Sequence, residues 1–253
     1  MTTPMPAFDS GIAADLLERL RRKAPRVHCI TNAVAQHFTA NVLLALGAIP
    51  SMTIAPEEVA AFAAGADALL VNLGMLDDTR RAAIPKAVEA AKAAVKPFVL
   101  DPVFVNRSPV RCSYAQELLT ASPTVLRANR DELAALYPGQ DSFEAFAGTS
   151  VTLAMTGAED MVAGPGGTLR LANGHPLLAR VTATGCAGGA VIAAFLSVSD
   201  DPVQAAAAAL TVFNVAGEMA AERARGPGTL VPELLDALYL IDAPQIADRL
   251  KRI

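Results

Sequence analysis

Short apolar runs alternate with helical patterns along most of the chain. Six runs have the length of a strand and are followed by small or polar residues; they cover residues 27–30, 48–54, 68–71, 98–100, 124–126 and 151–155. Alanine-rich helical segments separate several of these runs, among them residues 57–64, 80–94 and 131–136. Strands that alternate with helices predict a mostly parallel sheet with helices on both faces.

Local signals add a first helix and a hairpin to this pattern. Asp9 and Ser10 are residues of the kind that cap helices, and they precede a helical pattern over residues 11–23. Residues 160–163 and 168–172 flank a Pro-Gly-Gly sequence. Two short strand patterns around such a turn predict a β-hairpin.

The last third of the chain is mostly helical. A long alanine-rich helix is expected from Asp201 onward, and the Gly-Pro-Gly sequence at 226–228 separates it from a final helix. Residues 181–199 carry no charge and are long enough to span a membrane. Because this stretch opens with threonines and glycines, we interpret it as a glycine-rich turn and a buried helix over 190–196, and expect no membrane span.

Composition narrows the class of protein. The chain has 253 residues, of which 53% are hydrophobic and 18% are charged. This length suits one α/β domain over residues 1–253, and the hydrophobic content excludes a disordered chain. The net charge is −4 and no basic stripe is visible, which argues against a nucleic-acid partner.

The cysteines and the start of the chain indicate a cytoplasmic protein. The three cysteines are far apart, and such an odd, scattered set argues against a disulfide framework and for a reducing compartment. The first residues lack the basic and apolar segments of a secretory signal. The three histidines do not have the spacing of metal ligands, which argues against a zinc site.

Polar side chains stand at the ends of the predicted strands. In open parallel sheets, ligands bind beyond the carboxyl ends of the strands, so these side chains are expected to meet at one edge. They are Thr31, Asn32, Asn72, Asp101, Arg127, Asn129, Thr156 and Gly157. Amides, a carboxylate, a guanidinium and a hydroxyl in one place suit a phosphate group and a divalent metal.

Residues 181–189 carry the strongest local signal. Small residues let a backbone approach a ligand closely, and the start of the following helix offers free N–H groups to a phosphoryl group. The alternative is a turn that packs a helix tightly on a sheet. Cys186 lies within this segment, where a helix N-terminus would lower the pKa of its thiol. It is either a weak base or nucleophile, or a small buried residue.

Four further residues each allow a functional and a structural interpretation. Asp101 can bind Mg²⁺ directly or through water, or it can form an ordinary Asp-Pro turn. Glu132 can bind metal-bound water, or it can complete a helix capping box with Asn129. Arg127 lies in a buried run and needs an anionic partner, either a triphosphate or an acidic side chain. Met52 lines a pocket or belongs to the core.

Several well-known catalytic motifs are absent from the sequence. There is no GxxxxGK[ST] loop, so the chain is not a P-loop kinase. No GxGxxG dinucleotide fingerprint follows a strand, and the protein-kinase signatures are missing. The absence of a G-x-S-x-G elbow disfavours an α/β-hydrolase.

A set of segments is distributed along the chain in a specific order: His28-Cys29-Ile30-Thr31-Asn32, residues 40–48, 67–74 and 99–103, Arg127-Ala128-Asn129 with Glu132, Met155-Thr156-Gly157, Asn173-Gly174-His175-Pro176, residues 181–186, Ala216-Gly217-Glu218, and Gly226-Pro227-Gly228. In their order and spacing, these segments resemble the hydroxyethylthiazole kinase family of the ribokinase-like superfamily over nearly the whole chain. The resemblance implies a three-layer sandwich around a mostly parallel sheet. It also implies ATP-dependent phosphorylation of 4-methyl-5-(2-hydroxyethyl)thiazole in thiamine salvage.

The resemblance assigns expected roles to nine residues. Asn32, Met52 and Ala183 would bind the thiazole, while Arg127, Thr156 and Gly185 would bind ATP. Asp101 and Glu132 would organise Mg²⁺, and Cys186 would be the catalytic residue, at the place where related sugar kinases carry an aspartate base. The family typically forms trimers with the thiazole site between subunits, so a homotrimer is expected.

Three departures from the family pattern leave the exact substrate open. Ala183 stands where glycine is usual, bulkier residues fill positions 104–108, and the segment 138–150 is shorter. The alternatives are a kinase of another small heterocyclic alcohol, a hydrolase or transferase with Cys186 as nucleophile, and a binding protein without catalytic activity. The cysteine-nucleophile alternative lacks an evident base in the sequence.

Overall fold

The computed structural model describes residues 8–139, 146, 149–164 and 167–253, and it is built around one central sheet. Its eight strands are β1 (Arg26–Ile30), β2 (Ile49–Ser51), β3 (Ala68–Asn72), β4 (Phe98–Asp101), β5 (Val125–Asn129), β6 (Thr152–Thr156), β7 (Asp160–Gly164) and β8 (Gly167–Leu171). They lie in the order β2-β1-β3-β4-β5-β6-β7-β8. The first six are parallel, and β7 and β8 add an antiparallel hairpin. The predicted sheet and hairpin are confirmed.

Helices cover both faces of this sheet. Within the described residues they are α1 (Ser10–Lys23), α2 (Ala33–Leu46), α3 (Val59–Gly65), α4 (Asp78–Ala93), α5 (Pro109–Leu119), α6 (Arg130–Leu136), α7 (Thr184–Leu196), α8 (Pro202–Arg223), α9 (Pro227–Leu240) and α10 (Ala243–Arg249). Two short 3-10 helices, Val105–Arg107 and Pro176–Arg180, lie in the connections.

The strands divide their side chains between two hydrophobic clusters, as expected for a parallel sheet buried on both faces. Leu70 and Val99 point into the cluster formed with α1, α2 and α7 to α10. Their neighbours Leu69, Val71 and Leu100 point into the cluster formed with α3 to α6. The chain is therefore a three-layer sandwich, and its helices fix the loops at the carboxyl edge of the sheet.

Three boundaries differ from the sequence-based expectation. The apolar run at 48–54 forms a strand only over Ile49–Ser51. Helix α7 begins at Thr184 rather than at 190. The glycine-rich residues 184–189, which were expected to form a turn, therefore form the start of the helix. The single final helix is in fact two, because Asp242 starts α10 with its own capping box.

Tight packing explains two glycines of α7, a residue type that normally weakens a helix. A Cβ at Gly185 would lie 2.9 Å from the guanidinium of Arg127, and a Cβ at Gly189 would lie 3.2 Å from Leu70. Helix α7 is only thirteen residues long and most of it is buried. One described helix, α8, has the length and apolar composition of a membrane span, but 89% of its apolar window is buried inside the protein.

Two expectations fall largely on residues outside the described part of the chain. The shortened segment at 138–150 includes residues 140–145, 147 and 148, which are not described. Residues 165 and 166 of the hairpin turn are likewise not described.

Candidate active site

Asn32 and Asn72 lie at the point where the strand order reverses. Strand β1 pairs with β2 on one side and with β3 on the other; Asn32 follows β1 and Asn72 ends β3. Such a switch point is the usual position of a ligand in open α/β sheets. Asn32 caps α2 by accepting a hydrogen bond from the Ala35 amide at 2.9 Å. Its Nδ2 donates to Asn72 Oδ1 at 3.3 Å and to Cys186 Sγ at 3.4 Å. Asn32 therefore links β1, β3 and α7.

Asp101 ends β4 as a fully buried carboxylate. Its Oδ2 accepts a hydrogen bond from Asn72 Nδ2 at 2.7 Å, and its Oδ1 lies 3.4 Å from Arg127 Nη1. Burial raises the pKa of Asp101 to about 6, with a smaller rise from Glu132, although the charge of Arg127 opposes this shift. The charge of Asp101 is thus only partly compensated by its protein neighbours.

Arg127 extends from β5 and packs against the start of α7. Burial lowers the pKa of its guanidinium, but Asp101 and Glu132 outweigh burial and raise it overall. The anionic partner that the sequence demanded is therefore an acidic side chain, Asp101. The Nε atom of Arg127 is buried without a hydrogen-bond partner among the described residues. A buried donor left free in this way can bind a further anion.

Glu132 completes the capping box at the start of α6, as one of the two interpretations predicted. Its Oε2 accepts from the Asn129 amide at 3.0 Å, and the Glu132 amide donates to Asn129 Oδ1 at 2.9 Å. Its Oε1 accepts from the Phe104 amide at 2.9 Å, which holds the loop after Asp101. Each carboxylate oxygen has a second lone pair, so the role towards metal-bound water stays a prediction.

Ala183 immediately precedes α7 with a φ of 72°. An L-residue in this left-handed conformation costs about 1 kcal/mol, which glycine would avoid. Ala183 has no side-chain oxygen that could accept a hydrogen bond from the first amides of α7. Thr184 instead ties the helix start to the preceding loop, donating its hydroxyl to the Leu178 carbonyl at 3.0 Å.

Cys186 is the third residue of α7, and its environment contradicts one expectation. Burial and the charge of Asp101 raise the pKa of the thiol, and they outweigh Asn72, Asn32 and Arg127, which lower it. The prediction that the helix start lowers this pKa is therefore wrong. The thiol is protonated at neutral pH, which makes it a weak base and a poor nucleophile in this state.

A cavity of about 590 Å³ opens beside this group of residues. Its walls come from the ends of β5 and β6, the start of α7, the segment after β8 and one face of α8. The lining residues include Arg127, Thr156 and Gly185, the three expected to bind ATP. Asn129 and Thr156 are register partners on neighbouring strands and both face this cavity.

The other expected site residues are not among the described residues that line this cavity. Asn32, Asp101 and Cys186 form one connected group through Asn72. Met52 follows β2, is partly buried, and packs against the hydrophobic cluster on the α2 side of the sheet. Neither Met52 nor Ala183 is among the described residues that line the cavity.

Sequence reasoning did not identify several polar residues of the cavity. Asp160 and Asn214 face it from β7 and α8, and Asn173 and His175 face it from the segment after β8. Asp160 begins the hairpin, where a carboxylate looks like ordinary turn chemistry. Two signals were available in the sequence: Asn214 interrupts an otherwise apolar face of α8, and Asn173 and His175 belong to a segment that matches the family.

Comparison with known proteins identifies the family. A model of the hydroxyethylthiazole kinase family matches residues 17–243. A probable hydroxyethylthiazole kinase of Agrobacterium fabrum is 46% identical over 92% of both chains. The hydroxyethylthiazole kinase of Granulibacter bethesdensis is 44% identical over 92% of this chain and 91% of its own.

Solved structures agree with this result. A hydroxyethylthiazole kinase protein from Pyrococcus horikoshii OT3 superimposes with a TM-score of 0.91 at 37% identity, covering 96% of this chain and 98% of its own. A pyridoxal kinase from Staphylococcus aureus shares the fold alone, with a TM-score of 0.63 at 16% identity over 77% of this chain and 88% of its own. This protein belongs to the hydroxyethylthiazole kinase family.

Proposed function

We propose that this protein transfers the γ-phosphoryl group of ATP to the hydroxyethyl alcohol of 4-methyl-5-(2-hydroxyethyl)thiazole. The observation that carries the proposal is the buried Arg127–Asp101 pair, which lies beside the start of α7 at the edge of a large cavity. Phosphoryl transfer depends mainly on positioning and on compensation of negative charge. The guanidinium of Arg127, whose buried Nε–H has no partner among the described residues, and the start of α7 after Ala183 supply this positioning and this charge compensation.

The cavity suits ATP because its polar residues are those that bind phosphates. Arg127 offers a fixed positive charge, and Thr156 and Gly185 line the same cavity. The first amides of α7 point their partial positive charge towards the same place. We assign Arg127, Thr156 and Gly185 to ATP binding.

The strand-order switch suits the second substrate. We assign Asn32, Met52 and Ala183 to the thiazole, which would place its hydroxyl near Cys186. Met52 also packs against the core on the α2 side of the sheet. We also propose that the cytoplasmic protein forms a homotrimer with this site between subunits.

The residues present fit a magnesium ion that arrives with the nucleotide. Asp101 is a fully buried carboxylate with a raised pKa, so a nearby cation would stabilise its charged form. Among the described residues, no three His, Cys, Asp or Glu side chains are grouped to hold a metal alone. This matches Mg²⁺, which proteins usually hold by one or two carboxylates, water and phosphate oxygens. Asp101 and Glu132 would hold it, and bound Mg²⁺ offsets phosphate charge.

The chain's own residues then orient the reaction. The α7 amides and Arg127 hold the transferring group and stabilise its negative charge. Asn32 fixes Cys186 by donating to its sulfur, so the thiol stays directed towards the substrate side. A protonated thiol is a weak base, but phosphoryl transfer tolerates this when the reactants are held in line.

The direct test is ADP release from intact protein with the thiazole alcohol, ATP and Mg²⁺, omitting each in turn. We expect ADP only when all three are present. Faster turnover with a different heterocyclic alcohol, such as a pyrimidine alcohol, would make that compound the substrate instead. Thermal stabilisation by both ligands without ADP would indicate a binding protein without catalytic activity.

A further inference from the structure

One face of α8 holds two separate parts of the cavity wall. Asn214, Gly217 and Glu218 lie three and four positions apart, so they share one side of the helix. Asn214 itself lines the cavity, and Gly217 and Glu218 contact residues that line it. None of the three has been given a role in the reaction above.

Glu218 gathers three donors on one carboxylate oxygen. Its Oε1 accepts from the Gly174 amide at 2.8 Å, from Asn173 Nδ2 at 3.2 Å and from Lys251 Nζ at 2.9 Å. Glu218 is only 8% exposed, so this carboxylate depends on these partners for its charge. Because Asn173 and Gly174 both line the cavity, Glu218 fixes that stretch of the wall.

The neighbouring residue of α8 adds a packing contact to the same wall. A Cβ at Gly217 would lie 2.7 Å from a methyl carbon of Leu178. Leu178 lines the cavity from the 3-10 helix that follows Gly174. The missing side chain at Gly217 thus lets this wall lie directly against α8.

Asn214, one helical turn earlier, holds a second part of the wall. Its Nδ2 donates to Asp160 Oδ2 at 2.7 Å. Asp160 Oδ1 in turn accepts from the Gly157 amide at 3.0 Å, which fixes the turn that follows Thr156. Both Gly157 and Asp160 line the cavity.

We infer that Asn214 and Glu218 are positioning residues for the nucleotide, because they fasten the 157–160 turn and the 173–178 segment to one helix. This inference rests on the proposed function, which places ATP in this cavity. No hydrogen bond among the described residues joins Glu218 to Asp101, Arg127 or Cys186. Loss of Glu218 should therefore affect nucleotide binding and spare the transfer step.

The test compares Glu218→Ala, Glu218→Gln and Glu222→Ala in the intact protein. Glu222 lies one turn further along α8, is exposed, and pairs with Arg249 at 2.6 Å, which makes Glu222→Ala a matched control. Calorimetry measures ATP–Mg²⁺ binding without the alcohol, and steady-state assays give KM and kcat. For Glu218→Ala we expect ATP to bind about tenfold more weakly, with KM for the alcohol and saturating kcat changed less than about twofold.

Glu218→Gln should restore most of the lost ATP affinity, because glutamine keeps an oxygen that accepts from Gly174 and Asn173. Glu222→Ala should match the wild type. Wild-type ATP affinity in Glu218→Ala, with or without a lower melting temperature, would overturn the inference. So would equal loss of affinity for both substrates. If Glu218→Ala does not fold, Asn214→Ala decides by the same measurements.

The two proposals fail in different ways. A wild-type protein that binds no ATP contradicts the proposed function and the inference with it. The inference alone is contradicted if the wild-type protein binds ATP and releases ADP, and if Glu218→Ala and Asn214→Ala do so with the same KM for ATP.

Discussion

Gly185 leaves free the space beside the guanidinium of Arg127. A Cβ at position 185 would lie 2.9 Å from Nη2 and 3.2 Å from Nη1 of that arginine. The position of the arginine therefore depends on a glycine in the first turn of α7. Contact between Gly185 and Arg127 therefore links the glycine-rich segment to the Arg127–Asp101 ion pair.

Gly185→Ala should displace Arg127 and weaken ATP binding by about tenfold. Alanine is the better helix former, so α7 itself should not lose stability. The matched control is Gly228→Ala, because Gly228 is also the second residue of a helix and a Cβ there would meet nothing within 4 Å. Calorimetric titration with ATP–Mg²⁺ measures both. Unchanged affinity in Gly185→Ala would contradict the prediction that the glycine fixes the position of the guanidinium for ATP binding.

Arg127→Ala should weaken ATP binding by about tenfold or more and affect the thiazole alcohol less. It removes the charge proposed to bind the phosphates and leaves Asp101 without its cationic partner. Arg127→Lys keeps the charge but loses the planar fork, so it should restore only part of the affinity. The measurement is KM for each substrate with the other saturating. Equal loss for both would assign the arginine a purely structural role.

Cys186→Ala should lower kcat by about tenfold to a hundredfold and leave ATP affinity unchanged. The sulfur accepts from Asn32 Nδ2 at 3.4 Å, and its raised pKa keeps the thiol protonated, so little thiolate is present to act as a base. Cys112→Ala is the control, because that partly buried thiol bonds the Ala135 carbonyl at 3.4 Å, outside the site. Wild-type turnover in Cys186→Ala would remove Cys186 from the mechanism.

Acid should destabilise the protein through His28. The ring is buried beneath Phe62, and its Nδ1 lies 2.8 Å from Ser51 Oγ. Burial lowers the pKa of His28 from 6.5 to about 4, although the Thr53 backbone and Glu58 act in the opposite direction. Between pH 4 and pH 6.5, His28 therefore binds a proton in the unfolded chain but not in the native protein. The free energy of unfolding is therefore highest above pH 6.5 and falls towards pH 4.

The expected fall from this one group is ~3 kcal/mol between pH 7 and pH 4. Urea unfolding at several pH values measures it, and His28→Asn should be less stable at pH 7 but should have a flatter pH dependence. His37 and His175 are present in both proteins, so the difference isolates His28. Parallel pH curves for the two proteins would contradict the prediction.

Much of the sheet and part of the site could be predicted from the sequence. Buried parallel strands are continuous apolar runs, so the polar residues that end them are conspicuous; Asp101 and Arg127 were found in this way and do form a pair. The Asn129–Glu132 capping box was predictable because its residues are close in sequence. Such signals are local, and they do not require knowledge of the packing.

The remaining features depend on contacts between distant residues. The start of α7 was misplaced because the glycines that let it pack on Arg127 and Leu70 look like a turn. The pKa of Cys186 was predicted in the wrong direction because burial and the charge of Asp101 are set by tertiary structure. Asp160 and Asn214 were missed for the same reason, since they are 54 positions apart and become partners only through the fold.

One side chain, Asn32, both caps α2 and belongs to the proposed thiazole site, and this limits how the protein can be redesigned. A replacement that keeps the α2 cap, such as aspartate, exchanges the amide donor for an acceptor towards Asn72 and Cys186. A replacement without a capping oxygen would cost about 1 kcal/mol before any new ligand is recruited. Folding and specificity are coupled at this position, so directed evolution for a new alcohol should vary residues 32, 72 and 186 together.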